Sequence, residues 1–215
     1  MTGLYVTFEG LDGSGKTTQL ERLAAWLRDV GHTVVATREP GGTEVGQLVR
    51  DIVLHHRGDI APRAEALLFA ADRAHHIATK VRPALERGEV VLQDRYIDSS
   101  VAFQGGGRVL DPGEVRGLSE WATEGLYPEL TVLLDLDPAV ARGRIDAAQK
   151  VFDRIEAEAV EFNQRIRAAY LAMAEAHPER WLVLDATRTP DELQAQLREH
   201  VAGLLTSRDG VGGAA

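Results

Sequence analysis

The sequence predicts an α/β fold in three layers: a five-stranded parallel sheet with helices on both faces. Three observations predict it. Five short apolar runs, near residues 4–8, 33–37, 89–93, 130–136 and 181–184, alternate with segments whose apolar residues recur at helical spacing. The first run leads directly into a glycine-rich loop, Gly10-Leu11-Asp12-Gly13-Ser14-Gly15-Lys16-Thr17, and then into a helical segment. The 215 residues, 44% hydrophobic and 27% charged, suit one compact domain with a sizeable core. That domain is expected over residues 1–205, with a glycine-rich, disordered tail over 206–215.

Leu4 to Phe8 reads as the first strand. The loop that follows lets successive backbone N–H groups and the positive end of a helix face one anion. In such loops the lysine reaches the outer phosphates of a nucleotide and the next hydroxyl suits Mg²⁺, which makes Lys16 and Thr17 the candidates here. The candidate ATP site is Gly10, Leu11, Asp12, Gly13, Ser14, Gly15, Lys16, Thr17 and Thr18. Leu20, Leu23, Ala24, Leu27 and Val30 give the first helix its stripe, and Gly31 is placed to stop it. Thr33 to Thr37 reads as a buried strand delivering Arg38-Glu39-Pro40-Gly41-Gly42. Val45, Leu48, Val49, Ile52 and Val53 mark a second amphipathic helix. His55 and His56, adjacent on a helix, point about 100° apart and read as a solvated helix end rather than a metal pair.

A helix predicted over residues 62–80 carries an apolar stripe of Leu67, Ala70, Ala74 and Ile77. Phe69, Arg73, His76 and Lys80 share a different face. A ring one turn from an arginine can stack on a flat base and bond its edge; the same face also reads as core plus solvent. The third strand ends in Asp94-Arg95-Tyr96, the fourth in Asp135-Leu136-Asp137 and the fifth in Asp185. Ligands of parallel sheets lie beyond the carboxyl ends of the strands, so the phosphate loop, Arg38 and Asp94-Arg95 converge on one crevice. In that position Asp94 reads as a Mg²⁺-directed carboxylate. Ser99, Ser100 and Gln104 can bond base edges, and Gly105-Gly106-Gly107 is expected to break the helix. Asp111-Pro112 starts a helix whose Trp121 is a candidate subunit contact. Pro138 starts a short helix carrying Arg142 and Arg144, and a long helix covers about 156–176. The connection between them, with Lys150 and Arg154, reads equally as a basic flap closing over triphosphate (about 142–154) and as ordinary charged surface. Thr189-Pro190-Asp191-Glu192 is a capping box opening the last helix.

Composition excludes several classes. A net charge of −9 argues against nucleic-acid binding through a basic face, and the lack of cysteine excludes disulfides, thiolate zinc sites and thiol catalysis. No leader segment is legible and no run approaches the roughly 18 apolar residues of a membrane span, so no membrane partner is expected and the cytoplasm is the expected location. The Asn-Lys-x-Asp motif of regulatory GTPases is missing. The nucleotide grip, the aromatic-plus-arginine face and the basic flap together describe a small-molecule kinase working by positioning and charge stabilisation.

Five blocks in order, Phe8 to Gln19, Thr37 to Thr43, Asp94-Arg95-Tyr96, Phe103 to Arg108 and Asp153-Arg154-Ile155-Glu156, strongly resemble the bacterial thymidylate kinases, over roughly residues 4–205. The resemblance implies the P-loop NTPase fold and Mg²⁺-dependent phosphoryl transfer from ATP to dTMP by a homodimer. It implies that Asp12 meets the acceptor's 3′-hydroxyl, that Arg38 and Pro40 flank its phosphate and base, and that Phe69 stacks on thymine while Arg73 bonds its carbonyl edge. Arg95 would bridge the donor and acceptor phosphates, Ser100 and Gln104 would sit on the base side, and Lys16, Asp94, Arg142, Arg144 and Arg154 would serve transfer. Thr17 and Asp94 would be the Mg²⁺ ligands. Two departures stand out. Phe103 replaces a frequent tyrosine whose ring helps exclude ribonucleotides, and the flap carries fewer basic residues than usual.

Overall fold

The structure, a computed structural model, describes residues 3–107, 110–147 and 160–212. In chain order it runs β1 (Tyr5–Glu9), α1 (Lys16–Asp29), β2 (Val34–Arg38), α2 (Glu44–His55) and α3 (Pro62–His76). A π-helical turn (Ile77–Val81) leads to α4 (Arg82–Glu86), β3 (Val90–Asp94), α5 (Ile97–Ser100) and a second π-helical segment (Val101–Gly107). There follow α6 (Pro112–Thr123), β4 (Leu130–Asp135), α7 (Pro138–Ala147), α8 (Val160–Ala176), β5 (Trp181–Asp185) and α9 (Pro190–Gly212). The five strands form one parallel sheet in the order β2-β3-β1-β4-β5. Alternate strand residues point to opposite faces, yet all five residues of β1 are buried, so helices cover both faces. Among the described residues, no helix is long and apolar enough to cross a membrane.

Four local expectations change. β2 is an edge strand and only partly buried, with Ala36 and Arg38 exposed, because it pairs with β3 alone. On α3, Leu67 is 57% exposed, while Arg73 and His76 are buried and paired with Glu39, which makes their polar burial tolerable. The triple glycine does not break the helix. It lies within the second π segment, where a Cβ on Gly107 would stand 2.6 Å from the Phe162 ring, so glycine is what allows α8 to pack so closely. Finally, residues 206–212 of the expected tail continue α9, and residues 213–215 lie outside the described residues. Arg208 anchors the helix, with Nη1 donating to Glu129 Oε1 (2.8 Å) and Nη2 to the Gly3 carbonyl (2.7 Å).

Candidate active site

At the carboxyl end of β1 the loop turns with φ of 81° at Gly13 and 96° at Gly15, the residue capping α1. A side chain at Gly13 would meet the Ala141 carbonyl at 2.7 Å. Lys16 is folded onto this loop, donating to the carbonyls of Gly10 (3.1 Å) and Leu11 (3.0 Å), with Asp12 Oδ1 at 3.6 Å. Burial, and next the Arg95 charge, push its ammonium below the ordinary lysine range. Ser14 is buried in the loop, and Thr17 and Thr18 stand exposed at the start of α1. Thr17 Oγ1 lies 3.2 Å from Asp94 Oδ2, and Asp94 Oδ1 is a buried oxygen without a hydrogen-bond partner among the described residues. An alcohol oxygen beside an orphaned carboxylate oxygen is an all-oxygen donor set of the kind a hard cation uses.

Arg95 is the junction of the site. Its backbone takes φ of 67°, and its N–H donates to the Phe8 carbonyl at 2.9 Å. Nη2 donates to Asp12 Oδ1 at 2.7 Å, Nη1 to Ser99 Oγ at 3.2 Å, and the guanidinium lies 4.9 Å from the centre of the Phe103 ring. Burial is the largest influence and works against its charge, but Asp12, Tyr170, Asp94 and Glu9 together outweigh it and lift Arg95 above the ordinary arginine range. Behind Ser99 sits Glu9, fully buried, accepting from Tyr96 N (2.8 Å), Ser99 N (3.2 Å), Ser99 Oγ (2.5 Å) and Tyr170 Oη (2.8 Å). Burial and then the Asp98 charge push Glu9 up to about 7, against the Ser99 hydrogen bond and Arg95.

Beside this junction opens a cleft of about 280 Å³. Asp12, Arg38, Pro40, Phe69, Arg73, Arg95, Ser100, Phe103 and Gln104 all line it, together with Thr17 and Asp94. Residues read from separate stretches of sequence thus meet on one surface. Arg73 is only 2% exposed, and four of its five N–H groups are engaged. They reach Glu39 Oε2 (2.8 Å), Ser100 Oγ (3.1 Å), Ser119 Oγ (3.0 Å) and the Tyr96 carbonyl (3.0 Å). Burial disfavours the Glu39 carboxylate, yet Arg73 and the hydrogen bond from His76 (2.9 Å) more than offset it and hold Glu39 below the usual range. Gln104 donates to Glu65 Oε1 at 3.1 Å. The cleft is polar, rimmed by arginines, and fitted to a flat ring at Phe69 with an anion near Arg38 and Arg95.

Arg142 flanks a small hollow shared with Asp12 and Phe103. Arg144 lines neither hollow; its guanidinium donates to the Ala186 carbonyl at 2.9 Å. Residues two apart on a helix point about 200° away from each other, so α7 cannot bring both to one spot. Lys150, Arg154 and the rest of the proposed flap connection lie outside the described residues. Sequence reasoning passed over Arg50 and Leu54, which also line the cleft. Arg50 donates to the Pro40 carbonyl at 3.0 Å, and its place beside Val49 on the inward side of α2 is the signal that could have found it. Glu39 is the other gain, quoted in a motif but not recognised as the hub between Arg73 and His76.

A family model described as thymidylate kinase matches residues 8–197. A thymidylate kinase from Leifsonia xyli subsp. xyli is 64% identical over 201 residues, spanning 94% of this chain and 95% of that one. One from Clavibacter michiganensis subsp. michiganensis is 61% identical over 207 residues, covering 96% and 98%. The crystal structure of thymidylate kinase from Ehrlichia chaffeensis superposes with a TM-score of 0.76 at 30% identity, over 94% of this chain and 99% of that chain. A match of this length in the sequence, joined to the same fold, means that the chain belongs to the thymidylate kinase family.

Proposed function

We propose that this protein transfers the γ-phosphoryl group of ATP to dTMP, giving dTDP and ADP. The observation that carries the reading is the meeting of all nine acceptor-site candidates in one cleft that Thr17 of the phosphate loop also lines. In this scheme loop residues 10–18 hold the ATP phosphates, Phe69 stacks on thymine, and Arg73 and Gln104 meet its polar edge. Arg38 takes the acceptor phosphate. Asp12, held by Arg95, takes the 3′-hydroxyl while the other side of the guanidinium faces the transferring group. An acceptor phosphate is already anionic and needs no general base; what it needs is cancellation of its repulsion from ATP, which arginines supply. Lys16 leaves the carbonyls of Gly10 and Leu11 for the outer phosphates when ATP arrives. Of the two described flap cations, Arg142 is the better placed to join it; Arg144 holds α7 to the end of β5.

Thr17 and Asp94 fit Mg²⁺ and would hold it. Bound there, the ion would neutralise charge on the phosphate oxygens. The reading extends to a cytoplasmic homodimer. Val45, Leu48 and Ile52 recur along α2 yet stay exposed, as do Leu67 on α3 and Trp121 on α6, and α2 packs on α3 and α3 on α6.

The test is ADP release with ATP and Mg²⁺, comparing dTMP with dUMP, UMP, thymidine and no acceptor. Selective turnover of dTMP is expected. Preference for thymidine would reassign the acceptor to a nucleoside, and ATP binding without product from any acceptor would make the protein a nucleotide-binding regulator.

A further inference from the structure

Glu65 and Gln104 form a buried pair at the base end of the cleft, each only 2% exposed. Glu65 sits in the first turn of α3, and Gln104 in the second π-helical segment. Their contact, Nε2 to Oε1 at 3.1 Å, fixes which way the amide is turned. A carboxylate accepts and does not donate, whereas an amide has one donating and one accepting end. Turning Gln104 over would press two acceptor oxygens together between two buried side chains, a costly arrangement. The amide nitrogen therefore stays on Glu65, and the carbonyl oxygen is the end left for the cleft. Glu65, Phe69 and Arg73 follow one another at intervals of four along α3, so one helix face carries the pin, a ring and a guanidinium donor.

We propose that Glu65 is a positioning residue that sets which pyrimidine this enzyme accepts, by pinning Gln104 so that its oxygen, beside the donating Arg73, faces the base. An acceptor beside a donor matches a base edge bearing a ring N–H next to a carbonyl, as in thymine. It opposes an edge bearing a bare ring nitrogen next to an amino group, as in cytosine. This inference rests on the thymidylate reading above and adds to it the residue that enforces the choice.

The experiment measures kcat/KM for dTMP and for dCMP in the wild type and in Glu65→Gln. Glutamine at 65 can accept as well as donate, which releases the Gln104 amide to turn over. The ratio of dTMP to dCMP is expected to fall by about tenfold or more, the dTMP value dropping while the dCMP value rises. A merely structural role would lower both values together and leave the ratio unmoved; that result overturns the inference. A second measurement needs no variant. With the wild type, a dTMP analogue whose ring N3–H is replaced by C–H should lose about a hundredfold or more in kcat/KM. Turnover of that analogue at the dTMP rate also overturns the inference. Lack of any dTMP turnover by the wild type would remove the thymidylate reading and this inference with it, whereas dTMP turnover with an unmoved ratio removes this inference alone.

Discussion

Arg95 has three partners of different kinds: a carboxylate at Asp12, a hydroxyl at Ser99 and the ring of Phe103. Truncation to alanine should leave ATP affinity nearly intact, measured by titration calorimetry, but cut kcat by about 10³-fold, as loss of a charge contact made in the transition state does. The hydroxyl leads on to Glu9, whose raised value near 7 makes the anchor sensitive to pH. As pH falls through about 7, Glu9 takes up a proton and grips Ser99 less well, so the wild-type rate should decline there, and Glu9→Gln should flatten that limb. The stability effect has the opposite direction. With a folded value above the ordinary 4.5, this group's contribution is fully present below pH 4.5 and is lost as pH rises through about 7. Relative to wild type, Glu9→Gln should therefore gain on the order of 3 kcal/mol between those limits, read from denaturant midpoints. At this scale the sequence was generous with cleft residues, because motif spacing names them one by one. It was silent on Glu39 and Glu65, because a partner 34 or 39 residues away leaves no local pattern.

The elements that the sequence displayed best are β1, the phosphate loop and α1, where an apolar run, glycine spacing and a helical stripe agree. The two π-helical segments were not legible. A widened turn adds one residue per turn, and over five or seven residues the apolar spacing cannot separate it from an ordinary helix or a loop. Gly107 shows what the second one depends on. Gly107→Ala would push a methyl group into Phe162, which packs edge-on against Phe103 with ring centres 6.4 Å apart. Overpacking of this kind costs about 1–3 kcal/mol, so the denaturation midpoint should fall. Because Phe103 lines the cleft, KM for dTMP should rise while KM for ATP stays near its wild-type value. The edge position of β2 escaped for another reason: strand order is decided by which helices cross which face, and an apolar run that ends in the exposed Ala36 and Arg38 looks the same at an edge as in the middle of a sheet.

For the whole molecule, the exposed row on α2 makes a prediction about assembly. Leu48→Glu places a charge in the middle of Val45, Leu48 and Ile52, and sedimentation should show the proposed dimer of the wild type giving way to monomer in the variant. The strand order has a wider meaning. β1 carries the phosphate loop at its end; on one side lie β3 and β2, which deliver Asp94, Arg95 and Arg38, and on the other lie β4 and β5, with α7 and Arg142 following β4. In the proposed scheme, recognition of the acceptor and contact with the donor would fall to opposite flanks of a single strand. A lineage could exchange one nucleobase for another by altering α3 and the second π-helical segment alone, with the ATP half inherited untouched. The Asp12–Arg95 contact, which ties the loop of the central strand to the β3 flank, is the part of the cleft that such drift would have to leave in place.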